Sequence, residues 1–203
     1  MLIVALTGNY GMGKSFVLSS FRDLGAVTLD SDRIVEILLK EEGVIGGVRK
    51  IIGPEAVKPD GTLDKKSVAA KVFADPELRK RLEGLIHPLV LERVNDFISG
   101  MKDKNRVIIV EVPLLFEGNY QKDFSKVITV FTGEETAFDR LGRSGVTREE
   151  ALARLRSQRP IEEKKTAADY VIDNGGSKEE TRRQVGEIYA LLAAELQKGT
   201  AGN

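Results

Sequence analysis

Leu2-Ile3-Val4-Ala5-Leu6-Thr7-Gly8-Asn9-Tyr10-Gly11-Met12-Gly13-Lys14-Ser15 is the stretch that decides the fold. It opens as a buried strand, turns through glycines that spell G-x-x-x-x-G-K-S, and runs on into an apolar-periodic helix from Phe16 to Leu24. Each residue type has a mechanical reason to be there. Gly8, Gly11 and Gly13 admit backbone angles closed to other residues and let main-chain N–H groups of a loop that includes Asn9, Tyr10 and Met12 face inward around a phosphate. The following helix adds the positive end of its dipole. Lys14 then reaches the β- and γ-phosphates of a nucleoside triphosphate, and the Ser15 hydroxyl is placed to ligate Mg²⁺. Chance alone yields the pattern in about one chain of this length in a hundred, before the flanking strand and helix are required.

The chain of 203 residues suffices for one core domain with subdomains. Lys plus Arg and Asp plus Glu each number 31, so no global charge draws the protein to nucleic acid or a membrane surface. Cysteine is absent, which excludes disulfides, thiolate nucleophiles and cysteine metal sites, and agrees with a cytoplasmic home. No stretch approaches the roughly 18 apolar residues of a membrane span, and no leader precedes the first strand. The expectation is a soluble, unprocessed protein, a monomer by default, with a tail from Lys198 to Asn203 that frays.

After Gly25 stops the first helix, Ala26 to Asp30 reads as a second strand and completes a βαβ unit. Val107 to Val112, Lys126 to Phe131 and Tyr170 to Ile172 supply three more strands, so a five-stranded parallel sheet covered on both faces follows. About 75 residues separate the second strand from the third, far beyond a plain crossover. Asp60-Gly61 reads as a turn, Asp64 caps a helix to Phe73, and Asp75-Pro76 opens the next. Pro88 marks a helix boundary, with a further helix to Met101 using Leu89, Leu91, Val94, Phe97 and Ile98 for one face. The expected division is a nucleotide-binding core of residues 1–32, 105–138 and 160–203, a helical insertion of 33–104, and a lid of 139–159.

Asp30-Ser31-Asp32 ends the second strand, beside the phosphate loop if strands one and two are neighbours. Two acids there either hold Mg²⁺ or take a proton from an acceptor hydroxyl, or else cap the helix from Arg33 to Leu39, and spacing alone does not separate these roles. A ribose-binding acid of a dinucleotide fold is excluded, since G-x-G-x-x-G needs glycine where Phe16 stands. Glu111, at the end of an apolar strand, is either a second carboxylate for the metal shell or a solvated strand end. Six arginines, at 140, 143, 148, 154, 156 and 159, face only Asp139, Glu149 and Glu150. Arg140 and Arg143 share a helix face, Ser144-Gly145 breaks that helix, and Thr147 with Glu150 makes a capping box for the next. That pattern reads as a lid whose guanidinium groups bind phosphate, with Arg154, Arg156 and Arg159 left on a solvated face. His87 is the only histidine, so a histidine metal site is excluded and a structural role is the stronger reading.

These parts together resemble the dephospho-coenzyme A kinase family. The opening with Leu24-Gly25-Ala26 and Asp30-Ser31-Asp32, the middle segments Asp60-Gly61-Thr62-Leu63-Asp64, Val72 to Pro76, Leu85 to Val90 and Pro113-Leu114-Leu115-Phe116-Glu117, and Ala168 to Asn174 all carry the likeness. The resemblance implies an arginine-lidded P-loop kinase that uses ATP to phosphorylate the ribose 3′-hydroxyl of dephospho-coenzyme A, the last step of coenzyme A biosynthesis. It implies Asp32 as the base, Lys14 and Arg140 as the charge-stabilising groups, and Asn174 in an adenine loop. It also implies an acceptor site among Asp30, Asp32, Lys65, His87 and Glu117. Tyr10, Met12 and Phe16 are bulkier than the family habit, Ser31 and Lys65 replace a common alanine and arginine, and Glu111 stands for an aspartate. A kinase of another small acceptor, such as a nucleoside monophosphate, is the nearest rival. A nucleotide switch lacks the N-K-x-D residues it would need.

Overall fold

The computed structural model describes residues 1–103 and 105–201. In chain order they form β1 (Leu2–Thr7), α1 (Lys14–Asp23), β2 (Val27–Asp30), α2 (Ser31–Leu38), α3 (Glu42–Ile52), α4 (Lys65–Ala74), α5 (Pro76–Gly100), β3 (Val107–Glu111), β4 (Lys126–Phe131), α6 (Glu134–Arg143), α7 (Arg148–Leu155), α8 (Ile161–Ala167), β5 (Tyr170–Asp173) and α9 (Lys178–Ala201). They divide into two compact units, Met1–Leu29 with Asp103–Asn203, and Asp30–Lys102. The expected boundary at residue 104 and the expected fraying at 202 and 203 lie outside the described residues. From Lys198 to Ala201 the tail is helical instead, the last turn of α9.

The first unit is built on a five-stranded sheet in the order β2-β3-β1-β4-β5, with parallel registers from β3 through β5. Strand alternation sorts its apolar residues onto two faces. Leu2, Val4, Leu6, Val107, Ile109, Ile128 and Val130 pack on one face against Val17, Leu18 and Phe21 of α1 and Val185, Ile188 and Leu192 of α9. Ala5 and Val127 face the other way, onto Leu115 and Phe116 of the loop after β3. Each fully buried aliphatic side chain contributes about 1.5–3 kcal/mol, so this two-sided core fixes where the strand ends fall. The sheet order corrects one expectation. β3 stands between β1 and β2, so the strand ending in Asp30 is not the neighbour of β1. The strand end placed beside the phosphate loop is Glu111, which pairs in register with Leu6.

The second unit carries the insertion. Asp64 and Asp75 cap α4 and α5 as their spacing predicts, each Oδ1 accepting two backbone N–H groups at 2.9–3.2 Å. Asp60 makes its turn by accepting from the N–H and hydroxyl of Thr62 at 2.9 and 2.7 Å. The helix boundary at Pro88 is corrected, because α5 runs unbroken from Pro76 to Gly100. Pro88 removes the hydrogen bond to the Gly84 carbonyl, but both residues are exposed and water can serve that carbonyl. The buried face of α5 is therefore Ile86, Val90, Val94 and Ile98, spaced by four, while Phe97 is 49% exposed. α3 was hidden in the sequence by its glycines. A β-carbon at Gly47 would press against the Leu85 side chain, so glycine there permits α3 and α5 to approach closely.

Replacing Pro88 with alanine restores the missing N–H, and P88A is expected to raise stability by about 1–2 kcal/mol. Urea denaturation checks this, and an unchanged or lowered midpoint contradicts it.

Candidate active site

The phosphate loop is held in shape by its glycines and by neighbours that occupy the space their missing β-carbons leave. A β-carbon at Gly8 would overlap the Val130 carbonyl, and one at Gly13 would overlap the Asn174 amide, with Gly13 also in the left-handed region at φ 80°. Gly13 is the N-cap of α1, which has no side-chain cap and no acid in its first turn. That helix end is therefore left for an anion brought from outside. Lys14 Nζ donates to the Asn9 carbonyl at 3.4 Å, and Ser15 is exposed in the first turn. Met12 is buried and its Sδ accepts the Thr132 N–H at 3.1 Å. Phe16 lies beneath the cations of Lys178 and Arg182, at 5.8 and 5.4 Å. Glu111 is buried at the end of β3.

Asn174 is the hub of this site. Its Nδ2 donates to the Met12 carbonyl at 2.9 Å, its Oδ1 accepts from the Thr181 hydroxyl at 3.1 Å, and its carbonyl accepts from Arg140 Nη2 at 2.7 Å. The side-chain amide of Asn174, a residue the resemblance puts in an adenine loop, is thus committed to the phosphate loop. Arg140 Nη1 is buried with no hydrogen-bond partner among the described residues, and it lies 3.2 Å from where a Gly13 β-carbon would stand. An unpartnered buried guanidinium nitrogen beside the phosphate loop fits an anionic ligand group. Arg143, expected to act with it, is exposed.

The segment after Gly145 forms the predicted capping box of Thr147 and Glu150, and Phe138, Leu141 and Ala151 pack with Tyr10 between α6 and α7. Arg148 makes a two-pronged pair with Glu135 at 2.6 and 3.0 Å, which draws the exposed carboxyl of Glu135 below its usual range. Arg154 is exposed, as a solvated face requires, and it also meets a ring. Its guanidinium stands 4.6 Å over the Tyr10 ring.

Glu117, assigned to the acceptor by sequence, is engaged inside the first unit. Its Oε1 lies 2.8 Å from Nζ of Lys164 and accepts the Arg159 N–H at 2.8 Å. Lys164 is fully buried; desolvation is the main cause that pushes its pKa down, opposed by Glu117.

In the second unit Asp30 caps α2, its Oδ1 accepting from Asp32 and Arg33 N–H at 2.9 and 3.3 Å, while Asp32 is exposed in the first turn. Lys65 and His87 come together at a cavity of about 330 Å³ floored by Val35, Leu39, Leu63 and Leu82. Burial pushes the His87 pKa down against the opposing pull of Glu83. Lys65 also borders a second cavity, of about 430 Å³, with Lys40, Lys58 and Lys66.

A sequence model of the dephospho-CoA kinase family matches residues 2–180. The chain belongs to that family. It is 38% identical over 188 residues to a dephospho-CoA kinase of Symbiobacterium thermophilum, covering 91% of this chain and 79% of that one. With the dephospho-CoA kinase of Aquifex aeolicus it shares 35% over 193 residues, covering 95% and 98%. Among solved structures it is similar to the Campylobacter jejuni dephospho-CoA kinase, at TM-score 0.68 and 26% identity over 95% of this chain and 98% of that one. Shikimate kinase from Acinetobacter baumannii, at TM-score 0.53 and 18% identity over 96% and 94%, shares the fold. The chain is a P-loop kinase.

Sequence reasoning missed Lys164, Gln158 and Arg154. Lys164 carried one signal, a lysine in a short helix before the last strand with no acid four residues away to pair with it. Gln158 carried none.

Lys164→Met leaves the largely covered Glu117 carboxylate, 16% exposed, without its cation and is expected to cost about 3 kcal/mol. Adding Glu117→Gln should recover part of that loss, and denaturant midpoints that show no coupling would contradict the pairing. His87 has a folded pKa below its ordinary 6.5, so the unfolded chain binds the extra proton and stability falls as pH drops below 6.5. His87→Gln should flatten that fall between pH 7 and 5, measured by thermal melting.

Proposed function

We propose that the chain transfers the γ-phosphoryl group of ATP to the ribose 3′-hydroxyl of dephospho-CoA, giving CoA and ADP, the last step of CoA biosynthesis. The observation that carries this is the family match, which spans the phosphate loop and the whole helical insertion. The uncapped α1 terminus and the unpartnered Arg140 nitrogen support a polyphosphate ligand at the loop. Lys14 and Arg140 then oppose the charge on the transferring group while the loop amides hold the β-phosphate.

Magnesium fits the donor set, an exposed Ser15 hydroxyl and the buried Glu111 carboxylate at the neighbouring strand end. When bound, it neutralises charge on the β- and γ-oxygens. The acceptor is assigned to the helical unit, whose apolar cavity with Lys65 and His87 suits a long amphipathic arm and whose cavity ringed by Lys40, Lys58 and Lys66 suits a diphosphate. Asp32 accepts the proton of the 3′-hydroxyl as its oxygen bonds to phosphorus. Asp30 orients that turn as the cap of α2. The segment 139–159 acts as a lid that excludes water as a competing acceptor. The balanced charge supports an enzyme that binds no nucleic acid, and the enzyme is assigned to the cytoplasm with its oligomeric state open and a monomer favoured. Among the described residues no helix is long and apolar enough to cross a membrane.

ADP release measured with dephospho-CoA, with AMP and with no acceptor tests the assignment. Fast release with dephospho-CoA alone is expected, and a preference for AMP overturns it. Asp32→Asn should lower kcat at least about 100-fold with ATP binding nearly unchanged. A rate near wild type rejects the base.

A further inference from the structure

Two positive-φ glycines flank the first half of the phosphate loop. Gly8 and Gly11 have φ of 147° and 80°, angles that favour glycine, and each is packed against a neighbour, Gly8 on the Val130 carbonyl and Gly11 on Leu141 and Ala137. The dipeptide between them, Asn9-Tyr10, takes its further contacts from distant parts of the chain. Its position matters, because the Asn9 carbonyl accepts from Lys14 Nζ at 3.4 Å and the Met12 N–H at 3.3 Å. The second half of the loop is held by the Asn174 amide. The first half is held from the segment that follows α7.

We infer that Gln158 is a positioning residue of the phosphate loop, its Oε1 accepting the Tyr10 N–H at 2.9 Å and so setting the shape that receives the nucleotide. Arg159 completes the grip, its carbonyl accepting from Asn9 Nδ2 at 3.2 Å. The grip is itself anchored, since the Arg159 N–H donates to Glu117, which pairs with the buried Lys164. Arg154 covers the Tyr10 ring one turn earlier, so ring and backbone of Tyr10 are both held by residues 154–158. Nucleotide affinity thus depends on a side chain that need not touch the nucleotide. The acceptor site lies outside this grip.

The inference rests on the phosphate loop being the nucleotide site, which is checked separately by whether Lys14→Ala abolishes ADP binding to the full chain. Gln158→Met keeps length and removes the acceptor; Gln158→Glu keeps an acceptor oxygen. In Gln158→Met the Kd for ADP and the KM for ATP should rise about fivefold, the worth of one neutral hydrogen bond, with the KM for dephospho-CoA unchanged within twofold. Hydrogen exchange followed by NMR should show the Tyr10 amide losing protection in Gln158→Met and keeping it in Gln158→Glu. A merely structural role would lower kcat through the folded fraction and leave both KM values alone. The inference is overturned if Gln158→Met binds ADP as wild type does, if both KM values move together, or if Tyr10 protection is equal in the two variants.

Discussion

The nucleotide half of the molecule depends on one side-chain amide occupying the place of a β-carbon. Asn174 sits against Gly13 so closely that any other residue at 13 would collide with it, and from there it reaches the loop, the guanidinium of Arg140 and the Thr181 hydroxyl. Three chain segments are tied at one buried residue, the loop and Thr181 through its side-chain amide and Arg140 through its backbone carbonyl. A buried polar network of this kind is stable only when its members are satisfied. Within it Arg140 Nη1 is the nitrogen left without a partner, and it stands beside the loop.

A second constraint works from the opposite side of the loop. Lys164 has lost all its water, and the pair it makes with Glu117 offsets a desolvation cost of several kcal/mol only because the geometry is close. A buried pair is a poor source of net stability and a good source of fixed position, since breaking it strands a charge. Here it fixes the backbone at Arg159, and through it Asn9. The bulky residues of the loop make sense in this setting. Tyr10 gives Arg154 an aromatic face, and Met12 gives the Thr132 N–H a buried acceptor.

The helical unit follows simpler rules. α2, α4 and α5 are capped by aspartates, α5 packs through residues spaced by four, and the cavities combine apolar lining residues with lysines. Such a surface suits a ligand with an apolar arm and a charged end.

The residues alone determined what depends on near neighbours: the strand, glycine turn and helix of 2–24, the caps at Asp64, Asp75 and Thr147, and the five strands. These follow from periodicity and from hydrogen bonds spanning two or three residues, which a sequence displays directly. The tertiary structure alone decided that β3 separates β1 from β2, that Pro88 rides on a wet face of α5, that Gly47 admits Leu85, and that Gln158 holds Tyr10. Gln158 and Tyr10 are 148 residues apart, and Asn174 and Met12 are 162 apart. No local pattern encodes such pairs, because their partners are chosen by how whole elements pack, and the same glutamine or asparagine would read as an ordinary surface residue wherever else the chain had folded.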